Sequence, residues 1–119
     1  MPDTDTQSLK DIISAGNKIE YYLRRVDYDS FRINQLTIDY VLIHLDRISR
    51  AAVLVSVELQ QQHPAVKWTE LTTLRADVTK ADGRIDIEAL WRLVKKTFPR
   101  WQKGVEKVYN EFSQAADAL

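Results

Sequence analysis

The strongest constraint on the fold is a spacing. Ile87, Trp91, Val94, Phe98, Trp101, Val105, Val108 and Phe112 follow one another at steps that alternate four and three. That rhythm fits the 3.6-residue turn of a helix and not the two-residue period of a strand. It recurs upstream. Leu9, Ile12, Ile13, Gly16, Ile19 and Leu23 share one face, and Ser8 with Asp11 offers a capping-box start. DYDSFRINQ reads as a link with a turn of helix at 30–34, and 35–62 as one long helix. His63-Pro64 ends that helix, because proline biases the residue before it away from helical geometry. A further segment follows Trp68, with Thr69 as its cap, and runs to 81. Asp82-Gly83 marks a turn, after which Asp86 caps the last helix and Glu88 lies in its first turn. Pro99 interrupts this helix, but the stripe stays in phase, which predicts a kink or a tight two-helix junction rather than a stop.

The chain therefore reads as a single all-α domain, an antiparallel four- to five-helix bundle over residues 1–119. The residues from 113 onward read as a fraying helix end with no assigned task. Three glycines and three prolines are too few for a turn-rich β architecture, and the absence of cysteine excludes disulfide and thiolate chemistry. No apolar run is long enough to span a membrane, and MPDTDTQSLK is unlike a signal peptide, so the expected location is cytoplasmic.

The middle helix carries two stripes. Val41, Leu45, Ile48, Ala52, Val55 and Leu59 bury one side, while Leu36, Ile43, Leu54 and Val57, interrupted by Arg50, lie opposite. A helix apolar on two sides needs two partners, and a second copy of the chain is the expected one, with those five residues at the interface of a homodimer.

Familiar catalytic patterns are missing. His44 and His63 stand nineteen apart with no HExxH, which predicts no metal site, and His44 reads as a hydrogen-bonded interior histidine. Glycines isolated at 16, 83 and 104 form no phosphate loop, and no cofactor is expected. Trp68 and Trp91 each open a helix and read as core anchors. Net charge is zero, yet residues 75–107 hold nine bases against five acids, and Arg92, Lys96, Arg100, Lys103 and Lys107 form a row at helical spacing. Such a row is ordinarily a solvated face.

The stretch RADVTKADGRIDIEALW is crowded with charge. Together with the long helix LTIDYVLIHLDRISRAAVLVSVELQQQHPAVKW and the Pro99 region, it resembles the HepT-like proteins of the HEPN superfamily, most closely over 36–109. The resemblance implies a small helical dimer with the nucleotidyltransferase-substrate-binding type of bundle. It also implies a ribonuclease toxin paired with a minimal nucleotidyltransferase antitoxin. The family signature is an arginine, usually followed by asparagine, then a histidine five positions after the arginine and a tyrosine two beyond. Arg75 matches the arginine, but Ala76, Lys80 and Asp82 stand where asparagine, histidine and tyrosine belong. Ser49 and Arg50 likewise replace a usual glycine–acid pair.

A histidine titrating at about 6.5 can exchange protons at neutral pH, whereas a lysine at about 10.4 is ordinarily a fixed cation. Asp82 has no hydroxyl to accept the adenylate that the family's nucleotidyltransferase places on the tyrosine. The expectation is a vestigial site at Arg75, Lys80 and Asp82 in a non-catalytic interaction protein. Arg75, Lys80 and Arg84 remain candidates for holding RNA or phosphate. Two alternatives stand beside it: an RNA-cleaving toxin with a rearranged site of Arg75, Lys80 and Asp82, or an RNA- or nucleotide-binding module without catalysis.

Overall fold

The computed structural model describes residues 2–117, which are all-α, with no strand among them. The elements are α1 (Pro2–Leu23), α2 (Tyr28–Phe31), α3 (Gln35–Val53), α4 (Val57–Gln62), α5 (Trp68–Leu71), α6 (Leu74–Asp77), α7 (Ile87–Arg92) and α8 (Phe98–Asp117). A π-helical turn, Leu93–Thr97, joins α7 to α8. None of these helices is long and apolar enough to cross a membrane.

Three rods make the bundle. The α1 rod packs along both α3 and α8, while α5 and α6 lie against α3. Two ties fix directions. Asp5, near the start of α1, accepts hydrogen bonds from Ser56 just past the end of α3, so α1 and α3 are antiparallel. Lys95 donates from the π turn to the carbonyl of Leu23 at the other end of α1, which makes α8 antiparallel to α1 as well. The apolar stripes meet in one core: Leu9, Ile12, Ile19 and Leu23 with Val41, Leu45, Ile48, Phe98, Val105 and Val108. Gly16 lies at a close approach of α1 and α8, because a β-carbon there would stand 2.7 Å from Phe98 Cε2 and against the Gln102 side chain. Trp68 is buried, and Trp91 is half-buried against Phe31, ring centroids 5.0 Å apart.

Several boundaries differ from the sequence reading, each for a physical reason. Helix α1 begins well before Ser8, which lies buried inside it rather than capping it. The Asp5–Ser56 tie holds those extra turns in place. The predicted helix 35–62 is two helices. Ser56 restarts the chain as an N-cap, its hydroxyl accepting from the Leu59 amide while Asp5 takes the Ser56 N–H, so the ladder breaks at 54–56. The segment from Trp68 is also divided into α5 and α6, and Thr69 lies inside α5 rather than capping it. Near Pro99 the chain forms a two-helix junction, α7 and α8 meeting at the π turn. The helix widens just upstream, Phe98 N–H bonding the carbonyl of Leu93, and this loosened turn accommodates a residue that can donate nothing. Asp86 caps α7 as expected, accepting from the Ala89 amide. The helix end expected from 113 is the last stretch of α8, which runs to Asp117, and positions 118–119 lie outside the described residues.

Candidate functional site: the Arg75–Arg84 loop

The charged stretch folds as a short helix, a tight turn and a return. Buried Leu74 and Val78 anchor α6 to the core. The chain then reverses through residues 80–84. Thr79 and Ile85 form an antiparallel bridge, Lys80 N–H donates to the Arg84 carbonyl at 2.7 Å, and Gly83 N–H donates back to the Lys80 carbonyl. Gly83 has φ of +88°, a left-handed conformation that explains why glycine follows Asp82. The turn ends as the Asp86 amide donates to the carbonyl of Val78, setting Asp86 to cap α7.

The side chains pair off rather than converge. Arg75 Nη1 donates to Asp46 Oδ2 of α3 at 2.8 Å. Asp82 accepts from the Arg84 backbone N–H at 3.0 Å and from Arg84 Nε at 2.8 Å. Those bonds, backbone first, hold the Asp82 carboxyl below its ordinary range, with Lys80 adding to the effect. Among the described residues Lys80 makes no ion pair, and it points into solvent from the surface of the turn. The fold thus brings Arg75, Lys80, Asp82 and Arg84 onto one excursion, but two of the three cations are compensated and the carboxylate is already bonded. No histidine belongs to the loop.

Asp46 escaped the sequence reading, although it is the residue that holds Arg75. It sits on the flank of α3 that faces α5 and α6, one turn from Ser49, whose hydroxyl donates to the Leu71 carbonyl at 2.9 Å. Only its spacing, three before Ser49 and seven after Asp39 on the same face, could have placed it there.

The second stripe of α3 is uncovered. Leu36 is 80% exposed, Ile43 52% and Leu54 61%, with Arg50 exposed among them. Val57 is 63% exposed but belongs to α4, beyond the break. Val53, 65% exposed, widens the patch and was not singled out. The basic row Arg92, Lys96, Arg100, Lys103 and Lys107 is exposed along its whole length. His44 is buried as expected, but its Nδ1 has no hydrogen-bond partner. Burial, then the nearby Arg47 and Lys18, push its pKa below the ordinary imidazole value.

Comparison with known proteins agrees with this architecture. The family model described as Ribonuclease HepT-like matches residues 12–108. A candidate RNase of Methanocaldococcus jannaschii is 32% identical over 101 residues, covering 84% of this chain and 92% of that one. The probable ribonuclease HepT of Thermococcus cleftensis is 27% identical over 100 residues, 84% of this chain and 91% of its own. A second M. jannaschii protein, named as a gamma-glutamylcyclotransferase and candidate RNase, is 22% identical over 106 residues, 89% of this chain but 48% of that one. No solved structure matches. The helical bundle, the placement of the charged loop and the family match over 12–108 together make this chain a member of the HepT-like ribonuclease family.

Proposed function

We propose that this protein is a HepT-like homodimer that has lost RNA cleavage and acts through association, with a minimal nucleotidyltransferase of a toxin–antitoxin type system as its expected partner. The observation that carries this reading is the state of the loop. The arginine that would hold a phosphate is tied to Asp46 at 2.8 Å, and the position of the proton-transferring histidine carries a lysine. A charged ammonium donates hydrogen bonds but has no lone pair with which to take a proton. Asp82, the remaining candidate base, is bonded twice by Arg84 and is a weakened base for that reason. The adenylate-accepting hydroxyl is missing at position 82. The exposed stripe of Leu36, Ile43 and Leu54 supports a symmetric interface, since such a patch is costly to leave in water.

The test is a repair. The triple variant Ala76→Asn, Lys80→His and Asp82→Tyr is expected to gain cleavage of tRNA or total RNA, or toxicity in cells, where the natural chain has none. Cleavage by the unmodified protein that disappears in Arg75→Ala and Lys80→Ala overturns the proposal in favour of a rearranged nuclease. Co-purification from the host is expected to return a nucleotidyltransferase, and recovery of the dimer alone counts against the partner.

A further inference from the structure

The flank of α3 facing α1 carries chemistry that the Arg75 loop does not use. A cleft of about 370 Å³ lies between the two helices, walled by Asp11, Ser14 and Lys18 from α1 and by His44, Arg47 and Arg50 from α3. Arg24, Arg32, Arg75 and Arg84 are all in ion pairs, whereas Lys18, Arg47 and Arg50 make none among the described residues. Asp11 is the one acid on the wall, and its Oδ1 is occupied by the side-chain amide of Gln7 at 2.8 Å. Three cations against the one carboxylate of Asp11 leave the cleft net positive, and a concavity raises that potential above that of the same charges spread over a convex surface. Buried in the same wall is His44, 4% exposed, with Nδ1 unpartnered.

A larger cleft of about 840 Å³ adjoins this one and shares Ser14 and Lys18 with it. Its wall holds Tyr21, Tyr40 and Tyr109, with the amides of Asn17 and Asn110 between helices α1 and α8, and its charged groups besides Lys18 are Lys10 and Glu106, which offset one another. Tyr40 links the two spaces: its ring stands edge-on to His44 with centroids 4.4 Å apart. An anion subsite beside an aromatic wall carrying amide groups has the chemistry of a nucleotide. Arginine forks grip phosphate oxygens, aromatic faces stack on a base, and asparagine can both donate to and accept from its edge.

We propose that these adjoining clefts bind a nucleotide unit, with Lys18 and Arg47 holding its phosphate, Arg50 adding charge from the edge of the apolar stripe, and the tyrosine wall receiving its base. The site is separate from the Arg75 loop and stands whether or not that loop cleaves RNA. The unit could belong to a free nucleotide or to a single RNA strand, and the two sources are distinguishable.

The protein supplies its own reporter. His44 and His63 are the only histidines among the 119 residues, so their ring protons can be followed separately by NMR in the whole bundle, with His63→Gln fixing the assignment. The charges facing His44 are Asp11 and Lys18 from α1 and Arg47 and Arg50 from its own helix. An anion seated among these cations offsets the repulsion that Arg47 and Lys18 exert, so the His44 titration moves up while that of His63 does not. The probes are pyrophosphate, 5′-AMP, a hexa-adenylate RNA and a hexaglutamate peptide. Expected results are an upward His44 shift with 5′-AMP, tighter binding of 5′-AMP than of pyrophosphate, and loss of that preference in Tyr21→Ala. The exposed pair Lys18→Ala/Arg47→Ala should weaken 5′-AMP by at least about tenfold, the effect of losing charge-assisted hydrogen bonds. Arg50 is left intact because it also borders the apolar stripe of α3. Hexa-adenylate binding much tighter than 5′-AMP, with a log–log salt slope steeper than the roughly −0.7 of one neutralised phosphate, assigns the site to a strand; equal binding assigns it to a free nucleotide. The proposal is overturned if no probe moves His44, if the double variant binds as well as the natural chain while keeping its helical circular dichroism, or if pyrophosphate or hexaglutamate matches 5′-AMP.

Discussion

Asp5 is predicted to be worth more to this fold than its place near the N-terminus suggests. It is 6% exposed and accepts two hydrogen bonds from one residue, Ser56 N–H at 2.8 Å and Ser56 Oγ at 2.6 Å. Asp5→Ala removes both acceptors and strands the Ser56 amide at the break between α3 and α4. Charge-assisted bonds contribute about 1.5–3 kcal/mol each, and Ser56 is half-buried, so water recovers part of the loss. The expected cost is therefore about 2–4 kcal/mol. With a urea m-value of about 1.5 kcal/mol/M, the unfolding midpoint falls by roughly 1.3–2.7 M. Asp5→Asn keeps an acceptor for the Ser56 N–H and should lose about half as much. Ser56→Ala removes the hydroxyl that bonds Asp5 and caps the Leu59 amide, a cap worth about 1 kcal/mol by itself. The two residues share the Oγ–Oδ2 bond, so Asp5→Ala and Ser56→Ala must be non-additive by about 1.5 kcal/mol in a double-mutant cycle. Additivity within about 0.3 kcal/mol, or an Asp5→Ala cost below about 0.5 kcal/mol, refutes the tie as the device that divides the long helix.

Three further outcomes are checkable. Gly16→Ala should destabilise by about 1–2 kcal/mol in thermal unfolding, because overpacking against Phe98 and Gln102 outweighs the roughly 1 kcal/mol gain in helix propensity; a stabilised variant refutes the close approach of α1 and α8. His44 has a folded-state pKa below its unfolded value, so its contribution is fully present above about pH 6.5 and is lost as pH falls through the lower folded pKa; urea midpoints at pH 7.5 and 5.5 should differ less in His44→Leu than in the natural chain. Ile43→Lys with Leu54→Lys should give a monomer by light scattering with little change in the monomer's helicity, both positions being exposed, and a natural chain that is itself monomeric refutes the proposed interface.

Periodicity carried most of the fold because each long helix buries a stripe that only the 3.6-residue period can assemble. The local signals with local causes were equally legible: Asp86 bonds an amide three residues on, and Asp82-Gly83 makes its turn with neighbours two and three residues away. What stayed hidden depends on distant partners. The α3–α4 break is decided by a carboxylate 51 residues upstream, and the local sequence VLVSVELQQQ keeps an apolar rhythm through it. Asp46 became part of the site only when α6 packed on α3 and brought Arg75 within 2.8 Å. The clefts beside α1 were equally invisible, because Lys18, Arg47 and Tyr109 come from three separate helices.

The residues of the proposed vestigial site have structural work of their own. Ser49 uses its hydroxyl to hold the Leu71 carbonyl at the end of α5, a bond glycine could not make. Asp82 organises the 80–84 turn through two bonds to Arg84. Arg75 ties α6 to α3 through Asp46. Its presence is therefore accounted for by packing alone and gives no independent support for RNA contact. The same bonds keep the loop ordered. They also mean that the proposed triple variant removes the Asp82–Arg84 bonds, so it must draw any activity from a less tightly held turn. An Arg75 freed by Asp46→Ala in that background separates the two demands: if the arginine's tie to α3 is what withholds it from phosphate, cleavage should rise when the tie is cut.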